Sequence, residues 1–172
     1  MKDRNGLFHL TGEPDSGKTT MALTCGIAIK DMLFLDNDMK TQRIADSLMK
    51  SGKGFGKYVN LPREMRTRGF KTPLQFFDMT MEILEKGKSK YECIIFDDWT
   101  RIEDGIRAKS MSIMKDISPL TENQIRAMTQ VTWVYTHQYY AQVLDTLMTY
   151  APTVFVITHI REKYANNKKT GV

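Results

Sequence analysis

The sequence predicts an α/β fold in which a mostly parallel β-sheet carries helices on both faces. Continuous apolar runs at 32–36, 91–98 and 153–159 are typical of strands that are buried on both sides. Helical segments alternate with these runs along the chain, and this alternation indicates parallel strand pairing. A chain of 172 residues buries roughly 70% of its unfolded surface, so one domain over residues 1–172 is expected.

In the first half of the chain, the elements follow from short apolar runs and their boundaries. Residues 6–11 predict a strand that ends at Gly12, and MLFLD at 32–36 predicts a second strand between charged residues. Residues 18–30 and 40–50 are expected to be helical. The glycine- and lysine-rich run SGKGFGK predicts a flexible turn, and the YVNL that follows it predicts a short strand.

In the second half, helix signals are clearer. Residues 73–87 predict a helix because their apolar side chains fall on one stripe, at Leu74, Phe77, Met81 and Leu84. YECIIFDD at 91–98 predicts a third strand. Thr121 followed by Gln124 predicts a capping box, which opens a helical region reaching residue 150. TVFVITH at 153–159 predicts a fourth buried strand.

The composition is that of an ordinary globular protein with a basic surface. Apolar residues make up 41% and charged residues 26% of the chain. No apolar run approaches 18 residues, and the run after the basic start is too short for a signal peptide, so a cytoplasmic protein without a membrane span is expected. The net charge of +5 permits nucleic-acid binding but does not establish it.

The nine residues GEPDSGKTT predict a loop that binds nucleotide phosphates. The spacing Gly12-x-x-x-x-Gly17-Lys18-Thr19 matches the Walker A pattern, with a strand expected before it and a helix after it. Glycines let main-chain N–H groups turn towards phosphate oxygens, and lysine supplies a charge to the β- and γ-phosphates. The residues expected to contact ATP are Gly12, Glu13, Pro14, Asp15, Ser16, Gly17, Lys18, Thr19 and Thr20. The alternative is a chance glycine-rich turn.

Carboxylates end two of the predicted strands. After CIIFD, Asp97 is expected to hold Mg²⁺ through water, with the Thr19 hydroxyl as a second ligand and Asp98 beside it. After MLFL comes DND, in which Asp38 is the candidate to orient or deprotonate an attacking water, supported by Asp36. Two alternatives stay open: a solvated acidic pair at 97–98, and Asp38 as the cap of the helix at 40–50.

Four motifs, in this order, resemble the core of the RecA-like recombinases. GEPDSGKT, LFLDND, CIIFDD and VFVITHIREK match that family's Walker A loop, its strand with the catalytic acid, its Walker B strand and its strand ending in a γ-phosphate sensor. Within the family, the chain resembles small phage-encoded ATPases that act as single-strand annealing proteins. The resemblance implies a RecA-like P-loop NTPase core that hydrolyses ATP with Mg²⁺ and acts on single-stranded DNA.

The resemblance also implies roles for individual residues. Asp38 matches the catalytic acid, which is usually Glu in the family, and Lys18 clamps the phosphates. His159 matches the sensor, commonly Gln, and a histidine can also donate a hydrogen bond to a γ-phosphate. The tail after it matches the second DNA-binding loop, with phosphate contacts from basic residues and base stacking by an aromatic one, namely Arg161, Lys163, Lys168, Lys169 and Tyr164. The alternatives are a strand-end histidine and a solvated basic tail.

Two further groups of side chains receive weaker expectations. The segment after the third strand is a candidate first DNA-binding loop, with basic residues at Arg101, Arg107, Lys109 and Lys115. Aromatic residues in the last helical region are expected to pack in the core, namely Trp133, Tyr135, Tyr139 and Tyr140.

The expected partners and the competing functions complete the sequence-based hypothesis. Family members assemble into filaments or rings, so a homo-oligomer is implied, together with a possible single-strand-binding protein and, for a phage protein, the host cytoplasm. One rival is a small-molecule kinase with a lid carrying Arg63, Arg66 and Arg68; another is a DNA-independent motor or loader. RecA-like cores continue with further strands beyond this point, so the sequence is expected to be unusually short or part of a longer chain.

Overall fold

A five-stranded sheet forms the centre of the computed structural model, which describes residues 5–37, 41–52, 54–117, 121, 123–124, 129–159, 164–165 and 168–169. The strands are β1 (Gly6–Gly12), β2 (Met32–Asp36), β3 (Lys57–Asn60), β4 (Cys93–Asp97) and β5 (Thr153–His159). Their order across the sheet is β1-β5-β4-β2-β3, and every pairing is parallel. Parallel pairing needs crossovers, which the helices supply.

Six helices connect or flank these strands in the described part of the chain. They are α1 (Lys18–Leu23), α2 (Gln42–Lys50), α3 (Leu61–Thr67), α4 (Pro73–Gly87), α5 (Thr100–Ile117) and α6 (Thr129–Tyr150). A 3₁₀ turn at Ile29–Asp31 precedes β2. Two short strands, β6 (Tyr164–Ala165) and β7 (Lys168–Lys169), pair antiparallel in the tail.

The apolar core lies on both faces of the sheet. Every residue of β2 and β4 is buried, as continuous apolar runs predict for central parallel strands. On one face, Ile94, Phe96 and Val156 belong to a cluster with residues of α4, α5 and α6. On the other face, Ile95 and Phe155 pack with Ala22 of α1. The predicted α/β class with a parallel sheet is therefore confirmed.

The helix predicted at 18–30 is too long. Helix α1 ends at Leu23, where the Thr24 hydroxyl donates to the main-chain oxygens of Thr20 and Met21. Gly26 follows with a φ of 88°, a left-handed conformation that does not continue a right-handed helix. The chain then returns through the 3₁₀ turn to β2.

The loop predicted for the first DNA-binding candidate is also wrong, because its basic residues lie on helix α5, and their contact with DNA stays a prediction. Buried Ile102, Ile106 and Met114 recur at helical spacing along α5. The charged residues between them concealed this pattern in the sequence. The proposed arginine-bearing lid is likewise a helix, α3, where the Asn60 side chain accepts a hydrogen bond from the Arg63 N–H at 2.9 Å.

The prediction that four aromatic residues of the last helix pack in the core holds for only two of them. Tyr139 packs against Phe77, and the Tyr140 hydroxyl accepts a hydrogen bond from the Trp99 indole at 3.0 Å. Trp133 and Tyr135 are 52% and 38% exposed. Trp99 follows the end of β4, and Trp133 precedes Tyr140 by two helical turns, about 10 Å. The first turns of α6 therefore extend past the sheet.

The contact between α4 and α5 depends on a residue without a side chain. A Cβ atom placed on Gly105 would lie 2.5 Å from the Phe77 Cβ and 3.0 Å from the Pro73 main-chain oxygen. We expect Gly105→Ala to lower the free energy of unfolding by about 1–3 kcal/mol, because the overpacking outweighs the better helix propensity of alanine. Chemical denaturation measures this change. Ser112→Ala on the same helix is the control, and equal stability of the two variants would contradict the packing argument.

Candidate functional site

The phosphate loop leaves the sheet at the carboxyl end of β1 and returns as α1. Gly17 is the residue before the helix and has a φ of 82°, a conformation that glycine adopts without strain. No side chain caps α1, so its first main-chain N–H groups have no side-chain acceptor. The loop is tight, because a Cβ atom on Gly12 would lie 3.1 Å from the Ser16 hydroxyl oxygen. These features fit the predicted Walker A conformation.

The Lys18 ammonium is held inside this loop. Lys18 is only 8% exposed, and its Nζ donates hydrogen bonds to the main-chain oxygens of Gly12 at 2.9 Å and Glu13 at 2.5 Å. A third bond goes to the Ser16 hydroxyl at 3.0 Å. A buried charge with only neutral acceptors gains much from an anionic partner. The loop thus holds a positive charge where the phosphates of a nucleotide would lie.

Thr19 and Asp97 meet across the sheet edge as the sequence predicts for a Mg²⁺ site. The Thr19 hydroxyl donates to Asp97 Oδ2 at 2.6 Å, although 78 residues separate them. Thr41 also reaches Asp97 Oδ2, at 3.4 Å, and Asp97 is 3% exposed. Hydroxyl and carboxylate oxygens are the donors that Mg²⁺ prefers, so the residues present fit this ion.

His159 lies at the end of β5, directly beside the start of the phosphate loop. In the β1–β5 register, His159 is paired with Gly12. Its Nε2 lies 3.9 Å from Asp97 Oδ1, and its Nδ1 is buried without a hydrogen-bond partner among the described residues. The side chain is 18% exposed. The imidazole is therefore close to both the loop and the acidic residue, as expected of a phosphate sensor.

These groups line one pocket of about 300 Å³ at the carboxyl edge of the sheet. Its lining combines the loop with three other elements: Asp15, Ser16, Gly17, Lys18, Thr19, Thr20, Thr41, Ile44, Asp97 and His159. The structure therefore brings together most of the predicted nucleotide site. Gly12, Glu13 and Pro14 do not line the pocket, but Gly12 and Glu13 contribute the oxygens that hold Lys18.

Several predicted residues lie outside the part of the chain that the structure describes. These are Asp38, Arg161 and Lys163. Of the tail residues, Tyr164, Lys168 and Lys169 are described as main chain in the short β6–β7 ladder, where Tyr164 is opposite Lys169. Their roles in catalysis and DNA binding stay predictions.

The two acids beside the candidate catalytic residues have structural partners. Asp36 is fully buried and accepts a hydrogen bond from the Tyr58 hydroxyl. Burial and this bond raise the pKa of Tyr58 well above its usual range, so the phenol stays a donor. At the start of α5, Asp98 Oδ1 accepts two hydrogen bonds from Thr100, one from its main-chain N–H at 2.7 Å and one from its hydroxyl at 2.6 Å. Asp36 therefore links the end of β2 to Tyr58 of β3, and Asp98 contacts the first residue of α5, whereas the predicted support of Asp38 by Asp36 lies outside the described residues.

Three residues near the site were not predicted. Thr41 and Ile44 of the α2 region line the pocket, and the apolar side chain of Ile44 is 43% exposed. Asn37 donates its main-chain N–H to the main-chain oxygen of Asp97 at 2.5 Å and its side-chain N–H to the main-chain oxygen of Asp98 at 3.1 Å. The only sequence signal for Asn37 was its place in the polar DND motif. Its contacts could not be predicted, because they depend on β2 lying beside β4.

Comparison with known proteins agrees with this geometry. The described part of the chain contains no helix with the length and apolar character that a membrane crossing requires. A search of the curated proteins finds no relative that matches this chain. The family model described as AAA domain matches residues 5–172, almost the whole chain. The chain therefore belongs to the AAA domain family of P-loop ATPases.

Proposed function

We propose that this protein hydrolyses ATP with Mg²⁺ and uses the nucleotide state to control its binding of single-stranded DNA, in recombination or strand annealing. The observation that carries the ATPase part is the 2.6 Å bond between Thr19 and Asp97 beside the buried Lys18 ammonium. Sequence-distant groups with the donors for Mg²⁺ and phosphate meet in one pocket. The DNA part rests on the RecA-like order of motifs and on the basic tail.

Each residue has a definite part in the proposed mechanism. Lys18 redirects its hydrogen bonds from the loop to the β- and γ-phosphates, and Thr19 and Asp97 hold the metal ion. A Mg²⁺ ion held by these residues would supply positive charge that neutralises the phosphate oxygens. Asp38 orients or deprotonates the attacking water, as the resemblance implies. His159 donates a hydrogen bond to the γ-phosphate and loses this partner after hydrolysis.

The position of His159 supports coupling between nucleotide and DNA. Strand β5 lies between β1 and β4, so its last residue is next to both halves of the phosphate site. The basic segment 160–172 follows His159 directly in the sequence. A change in the hydrogen bonding of His159 therefore acts at the residue that precedes that segment. Loss of a γ-phosphate contact is a known trigger of conformational switching.

The kinase alternative receives less support. Helix α3, the suggested lid, follows β3, which is four strands from β1, or about 19 Å away. Arg68 is already paired with Glu82 at 2.7 Å and lies 3.9 Å from Glu64.

The proposed assembly is a filament or ring of identical subunits, as the resemblance implies, with a single-strand-binding protein as a further proposed partner.

The DNA part is tested by measuring strand affinity in different nucleotide states. Fluorescence anisotropy with a labelled single strand is expected to show tighter binding with ATP than with ADP. The affinity should fall with salt, with a log–log slope of about −0.7 per phosphate contacted. Lys168→Ala combined with Lys169→Ala should flatten that slope by up to about 1.4 if both side chains contact phosphates.

His159 variants separate the coupling from the binding itself. His159→Ala is expected to keep the salt slope and to abolish the difference between ATP and ADP, because the charges remain and the sensor is lost. His159→Gln, the matched control, retains an N–H donor and should preserve the difference. The same strand affinity with ATP, with ADP and without nucleotide in the wild type would refute the DNA part of the proposal. Hydrolysis measured without DNA tests the ATPase part separately.

A further inference from the structure

A stacked pair of rings lies on the surface of the first turns of α6. The ring centroids of Trp133 and His137 are 4.7 Å apart, and the planes are inclined by 23°. The two residues are one helical turn apart and therefore lie on the same side of the helix. About half of the Trp133 surface is exposed, whereas Trp99, the other tryptophan of the chain, is fully buried. The stack holds a flat, apolar ring in a fixed orientation towards solvent.

This ring pair lies at the same edge of the sheet as the nucleotide pocket. Helix α6 ends at Tyr150, and β5 begins three residues later and runs back along it, so the start of α6 and the end of β5 face the same edge. Tyr140 is anchored to Trp99 at the end of β4, and Trp133 lies about 10 Å beyond it. In the sequence, the basic segment 160–172 directly follows His159, the last residue of β5.

The charge of the chain and the exposed ring pair favour a polyanion with flat, apolar groups as the ligand. Residues 160–172 contain four basic residues and one acidic residue, and the chain carries a net charge of +5. Basic side chains attract phosphates, and an exposed indole offers a face on which a base can stack. Single-stranded nucleic acid combines both groups, whereas in a duplex the base faces are covered by their neighbours.

We propose that Trp133, supported by His137, is a base-stacking platform for a single nucleic-acid strand. The proposal rests on the proposed function, because it names a contact for the same strand, and it adds a site on a different element from the basic tail. Tyr135 is not part of the platform. It lies about 200° around the helix from Trp133 and lines a small pocket beside Ile113 of α5.

Val134 provides the control because it is an apolar neighbour of Trp133 that lies about 100° around the helix. It is the next residue on the same helix and is 55% exposed, but it has no ring. A surface that docks another protein or a second copy of the chain would use both apolar side chains. If a base stacks on the Trp133 ring, strand affinity depends on Trp133 and does not depend on Val134. The two variants Trp133→Ala and Val134→Ala therefore distinguish a nucleic-acid strand from a protein partner as the ligand of this surface.

The test uses the whole chain, an oligothymidylate strand and the fluorescence of Trp133. Because Trp99 is buried, quenching on addition of the strand reports on Trp133, and Trp99→Phe confirms this assignment. We expect the single strand, but not a duplex, to quench the wild type. Trp133→Ala should raise the dissociation constant about 5- to 150-fold, Trp133→Phe should raise it less, and Val134→Ala should leave it unchanged. DNA-free ATP hydrolysis should stay at the wild-type rate in the Trp133 and Val134 variants.

The outcomes separate the platform from the proposed function. If the wild type and Trp133→Ala bind the strand with equal affinity, the platform is refuted and the proposed function is not affected. Equal weakening in Trp133→Ala and Val134→Ala, or a change of oligomeric state in either, identifies a protein interface and also overturns it. If the wild type binds no strand in any nucleotide state, the platform and the DNA part of the proposed function are both refuted.

Discussion

Lys18→Ala is expected to lower ATP affinity about 10- to 150-fold for each charged hydrogen bond that it removes, as measured by calorimetry. A hydrogen bond to a charged group contributes about 1.5–3 kcal/mol, and Lys18 supplies a positive charge at the position of the β- and γ-phosphates. The buried ammonium has three oxygen acceptors within the loop, so its orientation is already restricted. The large effect follows from charge and position together.

The same contacts show that the substitution also affects the loop. Without Lys18, the oxygens of Gly12 and Glu13 lose their donor, so part of the effect comes from a less ordered loop. Ser16→Ala is the control, because it removes one of the three acceptors and leaves the charge in place. It should change the affinity much less than Lys18→Ala does. An unfolding midpoint close to the wild-type value would establish that Lys18→Ala stays folded, and unchanged ATP affinity would refute the assignment of the loop.

Elements with strong local signals were predicted well from the sequence. Helix α4 begins and ends at the predicted residues 73 and 87, because Thr72 and Gln75 form a capping box and Pro73 suits the first helical turn. Strand β5 matches the predicted 153–159, because a buried parallel strand is a continuous apolar run. The Walker A loop was predictable for a similar reason, since its spacing is set by a ligand of fixed shape.

Features that depend on tertiary structure were not predictable. Thr41 contacts Asp97, and Asn37 contacts Asp98, only because β2 lies beside β4 in the sheet. No local sequence pattern predicts the order of the strands. The exposure of Trp133 depends on the length of α6 relative to β5. The sequence shows an aromatic residue in a helical region, and such a residue is usually buried. Only the structure shows that this part of the helix has no sheet beneath it.

The described residues on either side of positions 38–40 both contact the end of β4. Asn37 is bound to the main-chain oxygens of Asp97 and Asp98, and Thr41 lies 3.4 Å from Asp97 Oδ2. Helix α2 begins at Gln42, so Thr41 occupies the position before the first helical residue, which a capping side chain would need. Thr41 therefore takes the cap position that the sequence left open for Asp38, and the catalytic role of Asp38 stays a prediction.

We therefore expect Asp38→Asn to retain ATP binding and to slow turnover about 10²- to 10⁴-fold, the contribution of a general base. A steady-state phosphate-release assay measures the rate, and calorimetry measures the binding. If Asp38 only capped a helix, asparagine would replace it with little effect, because Asn and Asp cap equally well. Asp38→Glu provides the residue usual in RecA-like proteins and should retain turnover. Wild-type turnover in Asp38→Asn would exclude Asp38 as the base. Asp36 and Asp98 are poor substitutes, because Tyr58 and Thr100 already donate to their carboxylates.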